Sequence, residues 1–261
     1  MEKEETVFFN KDTIKRISRD VKNIIKNPLT ENGIHYIHNM DNILKGYALI
    51  IGPNDTPYEN GFYFFEFNYP NDYPHRPPSV TFLSNGDNIR FNPNLYRNGK
   101  VCVSILNTWR GEQWTSCQTI STILLTLCTI LNETPLLNEP GILKTDSQIE
   151  PYNIIVSFKN IKVCIADMIE KIENNIKPYY LFKEICYKHF RNNKKNIIKN
   201  IESIGTKAIE STCRNTIGEI YTSIYKLSVK INKTTCKNLK ETIQKTLSNQ
   251  KEYKKTIDNK K

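Results

Sequence analysis

No run of apolar residues in this 261-residue chain approaches the roughly 20 needed to cross a bilayer as a helix, so a membrane-spanning segment is not expected. The first residues, Met1-Glu2-Lys3-Glu4-Glu5, are acidic with no apolar segment behind them. That argues against a secretory signal and predicts a reducing, cytoplasmic or nuclear setting. No Cys-x-x-Cys pair occurs, and the seven cysteines, at 102, 117, 128, 164, 186, 213 and 236, are odd in number and widely spread. Disulfide frameworks and zinc sites need tighter, paired spacing. Histidine is scarce, and His35, His38, His75 and His189 form no His-Glu-x-x-His motif or other metal cluster. A glycine loop of the phosphate-binding kind is also missing. What is present is 38% apolar, 10% aromatic and 25% charged residues, enough apolar surface for a packed core.

The formal net charge of +10 conceals two unlike parts. Residues 1–150 carry 14 Lys and Arg against 17 Asp and Glu, whereas residues 151–261 carry 23 against 10. Eight of the ten glycines and eleven of the twelve prolines lie at or before residue 151. A turn-rich, near-neutral front and a basic, breaker-poor back imply two regions with two jobs.

Between residues 11 and 27, Ile14, Ile17, Val21, Ile24 and Ile25 recur at helical spacing, and Pro28 follows. Short β-type runs come next, at 44–51 (LKGYALII), 62–67 (FYFFEF) and 79–83 (SVTFL). Turn clusters such as GPNDTP at 52–57 separate them, predicting a meander. A long loop with little periodicity, from 84 to about 114, holds Asn92-Pro93-Asn94, Gly99 and Cys102. Loops of that length inside a domain are usually functional. Thr115 and Gln118 have capping-box spacing, which predicts a helix start at 115–118 with Ile120, Ile123, Leu124, Leu127 and Leu131 as its buried stripe. Turns at 132–140 lead into helices from about residue 151, with Pro178 dividing two of them. Strands and helices are segregated, so the fold class is α+β.

The most informative segment is FNPNLYRNGKVCVSILNTW, residues 91–109. Asn94 precedes Cys102 by eight residues, with the turn formers Asn98 and Gly99 between them. That spacing permits the chain to fold back and set the Asn94 amide beside the sulfur. An amide donor near a thiol suits acyl transfer, because it can stabilise the oxyanion formed when a carbonyl is attacked. No histidine lies within ten residues of Cys102, so a local Cys-His base pair is not indicated. A thiol without such a base can still accept an activated acyl group and pass it on. Spacing alone leaves a buried structural cysteine as the plainer reading.

Residues 52–140 resemble the catalytic domain of the ubiquitin-conjugating enzymes. Gly52, Pro53, Thr56, Pro57, Tyr58 and Gly61 are similar to that family's G-P-x-x-[ST]-P-Y-x-x-G, and Tyr73, Pro74, Pro77 and Pro78 to its Y-P-x-x-P-P turn. NPN followed by NGKVC resembles its H-P-N loop and nucleophilic cysteine at the same eight-residue interval. The likeness runs collinearly from about 11 to 151. It implies a UBC-like fold: an N-terminal helix, a four-stranded antiparallel meander, an active-site loop and C-terminal helices, here with a basic helical extension. The implied organisation is an arm at 1–10, a catalytic domain at 11–176 and the extension at 177–261. By the same resemblance Cys102 would carry ubiquitin as a thioester, and Asn94 would stabilise the oxyanion when a lysine attacks. Loop stiffening is the alternative role for Asn94. Glu139 stands where the family often places an acidic residue that orients and desolvates the lysine, although a solvated loop charge is equally compatible. The Tyr73–Pro78 turn reads as scaffold. Partners implied are ubiquitin, its activating enzyme docked at Lys15, Arg16 and Arg19, a ligase, and substrate lysines. ATP would be spent by the activating enzyme, and no metal or small cofactor is implied.

Three departures from the family pattern stand out. Asn92 replaces the His of H-P-N, which places the loop geometry in question. The stretch between Cys102 and Trp114 is longer than in small members, through Asn107-Thr108-Trp109-Arg110-Gly111. Ser116 and His75 replace a proline and an aromatic in loops that commonly engage ligases. The first two departures, with Asn138-Glu139-Pro140-Gly141, resemble the long subgroup charged by the alternative ubiquitin-activating enzyme. Tyr152-Asn153 and residues 163–169 (VCIADMI) are similar to that subgroup's C-terminal extension.

Residues 183–261 carry 19 Lys and Arg against 7 acids. Ile217, Ile220, Ile224, Leu227 and Ile231 follow a heptad-like spacing that Thr234 and Asn238 interrupt, so the stretch predicts a packed helical extension or a partner-binding helix rather than a sustained coiled coil. Arg191 and Arg214 are its only arginines, which argues against nucleic acid or a membrane surface as partner. Two other functions stay open at this point: an inactive ubiquitin- or ligase-binding module of the same fold, and a conjugating enzyme for a ubiquitin-like modifier. The cysteine at 102 argues against the first.

Overall fold

The computed structural model describes residues 10–210. Helix α1, Lys11–Lys26, starts where the Asn10 side chain accepts the Asp12 backbone N–H at 3.0 Å. Its buried face differs from the one expected. Ile17 and Ile24 are buried, but so are Thr13 and Asp20, while Ile25 is 73% exposed. Polar ties to one turn set this rotation. The Thr13 hydroxyl lies 2.7 Å from Asn71 O and 2.9 Å from Tyr73 O, and Asp20 accepts the Tyr73 hydroxyl at 2.5 Å and Arg16 Nε at 3.0 Å.

Four strands follow: β1 (Ile34–His38), β2 (Lys45–Ile51), β3 (Phe62–Asn68) and β4 (Ser79–Phe82), paired antiparallel in the order β1-β2-β3-β4. Three of them coincide closely with the β-type runs read from sequence. β1 has no such run, because His35 and His38 interrupt its apolar pattern; its register is supplied by β2, from Ile34 opposite Ile50 to His38 opposite Gly46. Between β2 and β3 the turn closes through Gly52 N to Gly61 O at 2.8 Å. A Cβ on Gly52 would lie 1.7 Å from the Tyr58 carbonyl oxygen, so only glycine fits there. β3 is buried along most of its length, and Phe64 packs edge-on against Tyr179 and Phe182 from the C-terminal region.

Helix α2, Ile120–Thr129, buries Ile120, Ile123, Leu124 and Leu127 as expected, with Leu131 buried just beyond. Its start corrects the sequence expectation by about one turn. Thr119 is the cap, in a reciprocal capping box with Thr122. The Thr115 N–H is accepted by Gln118 Oε1 at 3.0 Å, so the Thr/Gln spacing closes a separate turn ahead of the helix.

Helix α3 (Ile149–Lys159) continues through a π-helical stretch, Asn160–Asp167, into α4 (Met168–Glu173). Widening the helix lets Val163, Cys164, Ile165 and Ala166 all be buried in succession, which a regular 3.6-residue stripe does not permit. Asn160 anchors the stretch: its Oδ1 accepts the Tyr63 hydroxyl at 2.6 Å and its Nδ2 donates to Glu59 O at 2.9 Å. After Pro178, a short turn at Tyr179–Phe182 leads into α5, Lys183–Glu210. The chain divides into two compact units, residues 1–193 and 194–261. The first holds the sheet, α1 to α4 and the start of α5, where Cys186 and Phe190 are buried. The second is helical as far as Glu210. The heptad-like run from Ile217 to Ile231, Arg214, Cys213 and Cys236 lie outside the described residues. Among the described residues no helix is long and apolar enough to cross a membrane.

Candidate active site

The loop from Phe91 to Cys102 doubles back on itself. Tyr96 N donates to Lys100 O at 2.9 Å and Gly99 N to Tyr96 O at 3.0 Å, closing a tight tip. Gly99 has φ +87°, and a Cβ there would press to 2.9 Å from the Phe82 carbonyl oxygen, so the tip requires glycine. The return brings Cys102 N to 2.8 Å from Asn94 O, while Asn94 Nδ2 donates to Cys102 O at 2.6 Å. The fold-back that their spacing permits therefore forms, but the amide's partner is the Cys102 carbonyl oxygen and not the sulfur. In this arrangement the amide holds the cysteine's carbonyl oxygen and stiffens the loop.

Cys102 is 4% exposed, and its Sγ lies 2.9 Å from the Thr108 carbonyl oxygen. Thr108 was not singled out by sequence reasoning, because nothing in the pattern shows that the extra residues fold back over the thiol. They do so through short-range bonds. The Thr108 hydroxyl accepts Val103 N at 2.9 Å and lies 2.9 Å from Val101 O, and Asn107 Oδ1 accepts Trp114 N at 2.8 Å. Gln113 Nε2 ties the far side to Trp109 O at 2.9 Å and Gly111 O at 3.1 Å. The insertion is a fitted cover over one side of the sulfur.

Asn92 answers the question raised by its replacement of histidine. It is fully buried; its Nδ2 donates to Tyr58 Oη at 2.9 Å and to Ile130 O at 2.8 Å, and its Oδ1 accepts Asn94 N at 2.8 Å. Tyr58 in turn donates to Phe91 O at 2.8 Å. A buried amide with every group partnered braces the loop from the end of α2 to Asn94. Burial pushes the Tyr58 phenol well above its ordinary value, so it remains a neutral donor.

Glu139 sits on the turn after Pro135–Asn138, its carboxylate 3.4 Å from Arg90 Nη1. Arg90 also bonds Pro93 O, lies over the Tyr96 ring at 4.4 Å, and has its own carbonyl held by the Tyr152 hydroxyl at 3.0 Å. This Arg90 hub joins Glu139, the Asn92-Pro93-Asn94 turn and α3. Sequence reading missed it, since an isolated arginine in a loop gives no signal.

The remaining sequence candidates fall elsewhere. Trp114 Nε1 donates to Pro74 O at 2.7 Å and Ser116 Oγ lies 3.3 Å from the same oxygen, so the loop holding His75 meets the loop holding Ser116. Arg16 is not free to meet a partner. Besides Asp20, its guanidinium donates to Ser116 O at 2.6 Å and Gln118 O at 2.5 Å, whereas Lys15 and Arg19 are exposed. Burial pushes the thiols of Cys128, Cys164 and Cys186 up, which keeps them protonated and poor nucleophiles.

Residues 16–144 match the family described as Ubiquitin-conjugating enzyme. The human protein "Ubiquitin-conjugating enzyme E2 Z" is 40% identical over 187 residues, covering 66% of this chain and 52% of that protein. The Danio rerio protein of the same name is 42% identical over 160 residues, covering 60% and 48%. "Probable ubiquitin-conjugating enzyme E2 R521" of Acanthamoeba polyphaga mimivirus is 34% identical over 228 residues, covering 81% of this chain and 14% of that protein. The chain thus spans about half the length of the E2 Z relatives it matches. Through residues 16–144, with their four-stranded meander and asparagine–cysteine loop, this chain belongs to the ubiquitin-conjugating enzyme family.

Proposed function

We propose that this chain accepts ubiquitin from an activating enzyme as a thioester on Cys102 and transfers it to a lysine amine or to a ligase. The observation that carries the reading is the closed loop in which Asn94 and Cys102 exchange two hydrogen bonds, at 2.8 and 2.6 Å. It fixes an amide donor beside the one described cysteine that lies in the family's loop.

In the charging step Cys102 gives its proton to water, its thiolate attacks the ubiquitin C-terminal carbonyl of the activating enzyme's thioester, and that enzyme's sulfur leaves as a thiolate that takes a proton from water. An acylated sulfur has no proton to give Thr108 O, so charging ends that contact and the cover over the thiol relaxes. In the transfer step a neutral lysine amine attacks the new thioester carbonyl. Asn94 turns its amide from the Cys102 carbonyl to the developing oxyanion, the Cys102 thiolate leaves, and the amine's extra proton passes to water or a nearby carboxylate. Glu139 orients the incoming lysine while Arg90 holds its turn against the Asn92-Pro93-Asn94 loop. The activating enzyme, of the alternative kind, meets α1 through Lys15 and Arg19. His75 and Ser116 shape the surface offered to a ligase. The basic region from 177 onward is a helical extension whose beginning packs into the first unit through Tyr179, Phe182, Cys186 and Phe190, and the protein works in the cytoplasm or nucleus.

The test mixes the protein with ubiquitin, ATP and each of the two ubiquitin-activating enzymes, followed by gels with and without reductant. A reductant-sensitive adduct one ubiquitin heavier, turned reductant-resistant in Cys102→Ser, is the expected result. Absence of any adduct from folded protein overturns it in favour of a binding module or another modifier.

A further inference from the structure

Helix α3 begins past residue 144, where the family match ends, yet its side chains reach back to the loop that carries Asn94. Tyr152 Oη donates to Arg90 O at 3.0 Å, and Tyr58 Oη donates to Phe91 O at 2.8 Å. Two phenols thus hold consecutive carbonyls just ahead of Asn92-Pro93-Asn94. Burial pushes both phenols above their ordinary value, so both remain protonated donors. Beside Tyr152, Asn153 Nδ2 donates to Glu133 O at 2.9 Å, close in the chain to the Ile130 carbonyl that accepts Asn92 Nδ2. At the far end of α3, Lys159 Nζ lies 2.9 Å from Asp87 Oδ2, shortly before Arg90. The helix therefore grips both chain segments that meet at Asn92.

Fixing the Arg90 carbonyl restricts where its guanidinium can go. That group bonds the Pro93 carbonyl, stands 4.4 Å from the centre of the Tyr96 ring and pairs with Glu139 at 3.4 Å. Pro93 is the residue before Asn94, and Tyr96 N donates to Lys100 O on the return toward Cys102. A long arginine side chain reaches three partners at once only while its backbone is held, because each free torsion otherwise costs ordering entropy. Freed at its carbonyl, Arg90 keeps its attraction to Glu139 but no longer sets the position of Pro93. A displacement of about 1 Å at a reacting group can cost on the order of a hundredfold in rate.

We propose that Tyr152 is a positioning residue for acyl transfer: through the Arg90 carbonyl it sets the Asn92-Pro93-Asn94 turn, which makes helix α3 part of the catalytic apparatus. The inference rests on the reading of Cys102 as carrier and Asn94 as oxyanion donor, and adds a residue to that same site. Tyr152 acts on Asn94 through Arg90, so the two form one unit whose losses do not add.

Tyr152→Phe tests it by deleting the hydroxyl and keeping the ring. The first measurement needs no thioester. Hydrogen exchange read by NMR compares the backbone amides of Asn94 and Cys102, which donate to Asn92 Oδ1 and Asn94 O, with amides of the β2–β3 ladder. The two loop amides should exchange about threefold faster or more in the variant while the ladder amides keep their rates. No change in the loop, or the same change everywhere, overturns the inference. The second measurement is single-turnover discharge of preloaded ubiquitin thioester to free lysine, normalised to the loaded protein. The maximal rate should fall about three- to tenfold at an unchanged half-saturating lysine concentration, and Arg90→Met should lose nearly as much with or without Tyr152→Phe. A shift in half-saturation alone, or losses that multiply in the double variant, overturns the positioning of Asn94. Wild-type protein that takes no ubiquitin while its loop amides respond to Tyr152→Phe overturns the carrier reading and leaves the clamp on the Asn94 loop standing.

Discussion

Asn92 and Thr108 set the local chemistry around Cys102 from opposite sides, one by bracing the loop and one by covering the thiol. Asn92 does with an amide what the family's histidine position requires: it has two donors and an acceptor, and all of them find partners in a site with no water access. Replacing it with alanine strands Tyr58 Oη, Ile130 O and Asn94 N without those bonds. Each buried group left unpaired costs about 1–3 kcal/mol, partly relieved by water entering the gap. Asn92→Ala should therefore lose about 2–4 kcal/mol in urea unfolding. It should also charge more slowly at temperatures where it remains folded. An unchanged unfolding midpoint would mean that Tyr58 and Phe91 hold the loop without it.

At the scale of elements, α1 shows how polar contacts override an apolar pattern. Five isoleucine and valine positions suggest one face, yet the helix turns so that Thr13 and Asp20 reach the Tyr73 turn and Ile25 faces solvent. The Arg16–Asp20 pair is largely buried, with side chains 16% and 2% exposed. Removing Arg16 leaves the Asp20 carboxylate inside the fold without its cation. Arg16→Ala is expected to lose about 3 kcal/mol of stability and to loosen the Ser116–Gln118 segment, read by thermal unfolding. Lys15→Glu with Arg19→Glu, on the exposed side, should leave stability within about 0.5 kcal/mol and slow thioester formation severalfold. Identical charging kinetics for that double variant would remove α1 as the docking surface of the activating enzyme.

For the whole molecule, half-buried histidines give stability a defined dependence on pH. His35, His38 and His189 all have pKa values lowered, in each case first by burial, with His35 adding its charge effect on His189. His189 Nε2 lies 2.8 Å from Asn60 Oδ1 and its ring packs edge-on against Phe62, so the start of α5 is tied to the β2–β3 turn through a neutral imidazole. The unfolded chain takes up protons near pH 6.5, above the lowered values of the fold. The unfolded state thus binds more protons as pH falls, and the stability these residues contribute is full above about pH 6.5 and declines below it. The thermal midpoint should drop by several degrees between about pH 7.5 and pH 5.5, and His189→Gln should flatten part of that drop. A midpoint that stays level over that range would contradict the neutral state assigned to these half-buried imidazoles.

Much of this was legible in the chain itself, for reasons that lie in local physics. The near-continuous aromatic run at 62–67, the apolar stripe from Ile120 to Leu131, and the Gly-Pro-rich turns determine β3, α2 and the meander, because burial pattern and backbone restriction act within a few residues. The eight-residue interval from Asn94 to Cys102 likewise determines a closed loop, since Gly99 is the residue its tip needs. Other features exist only through partners distant in sequence. β1 is a strand because β2 supplies its ladder, α1 is rotated because Tyr73 holds it from 53 positions away, and the π-helical stretch at Asn160 answers to Tyr63, 97 positions away. The thiol's cover by Thr108 belongs to the same class: a contact made by folding, between residue types that carry no signal until the fold has brought them together.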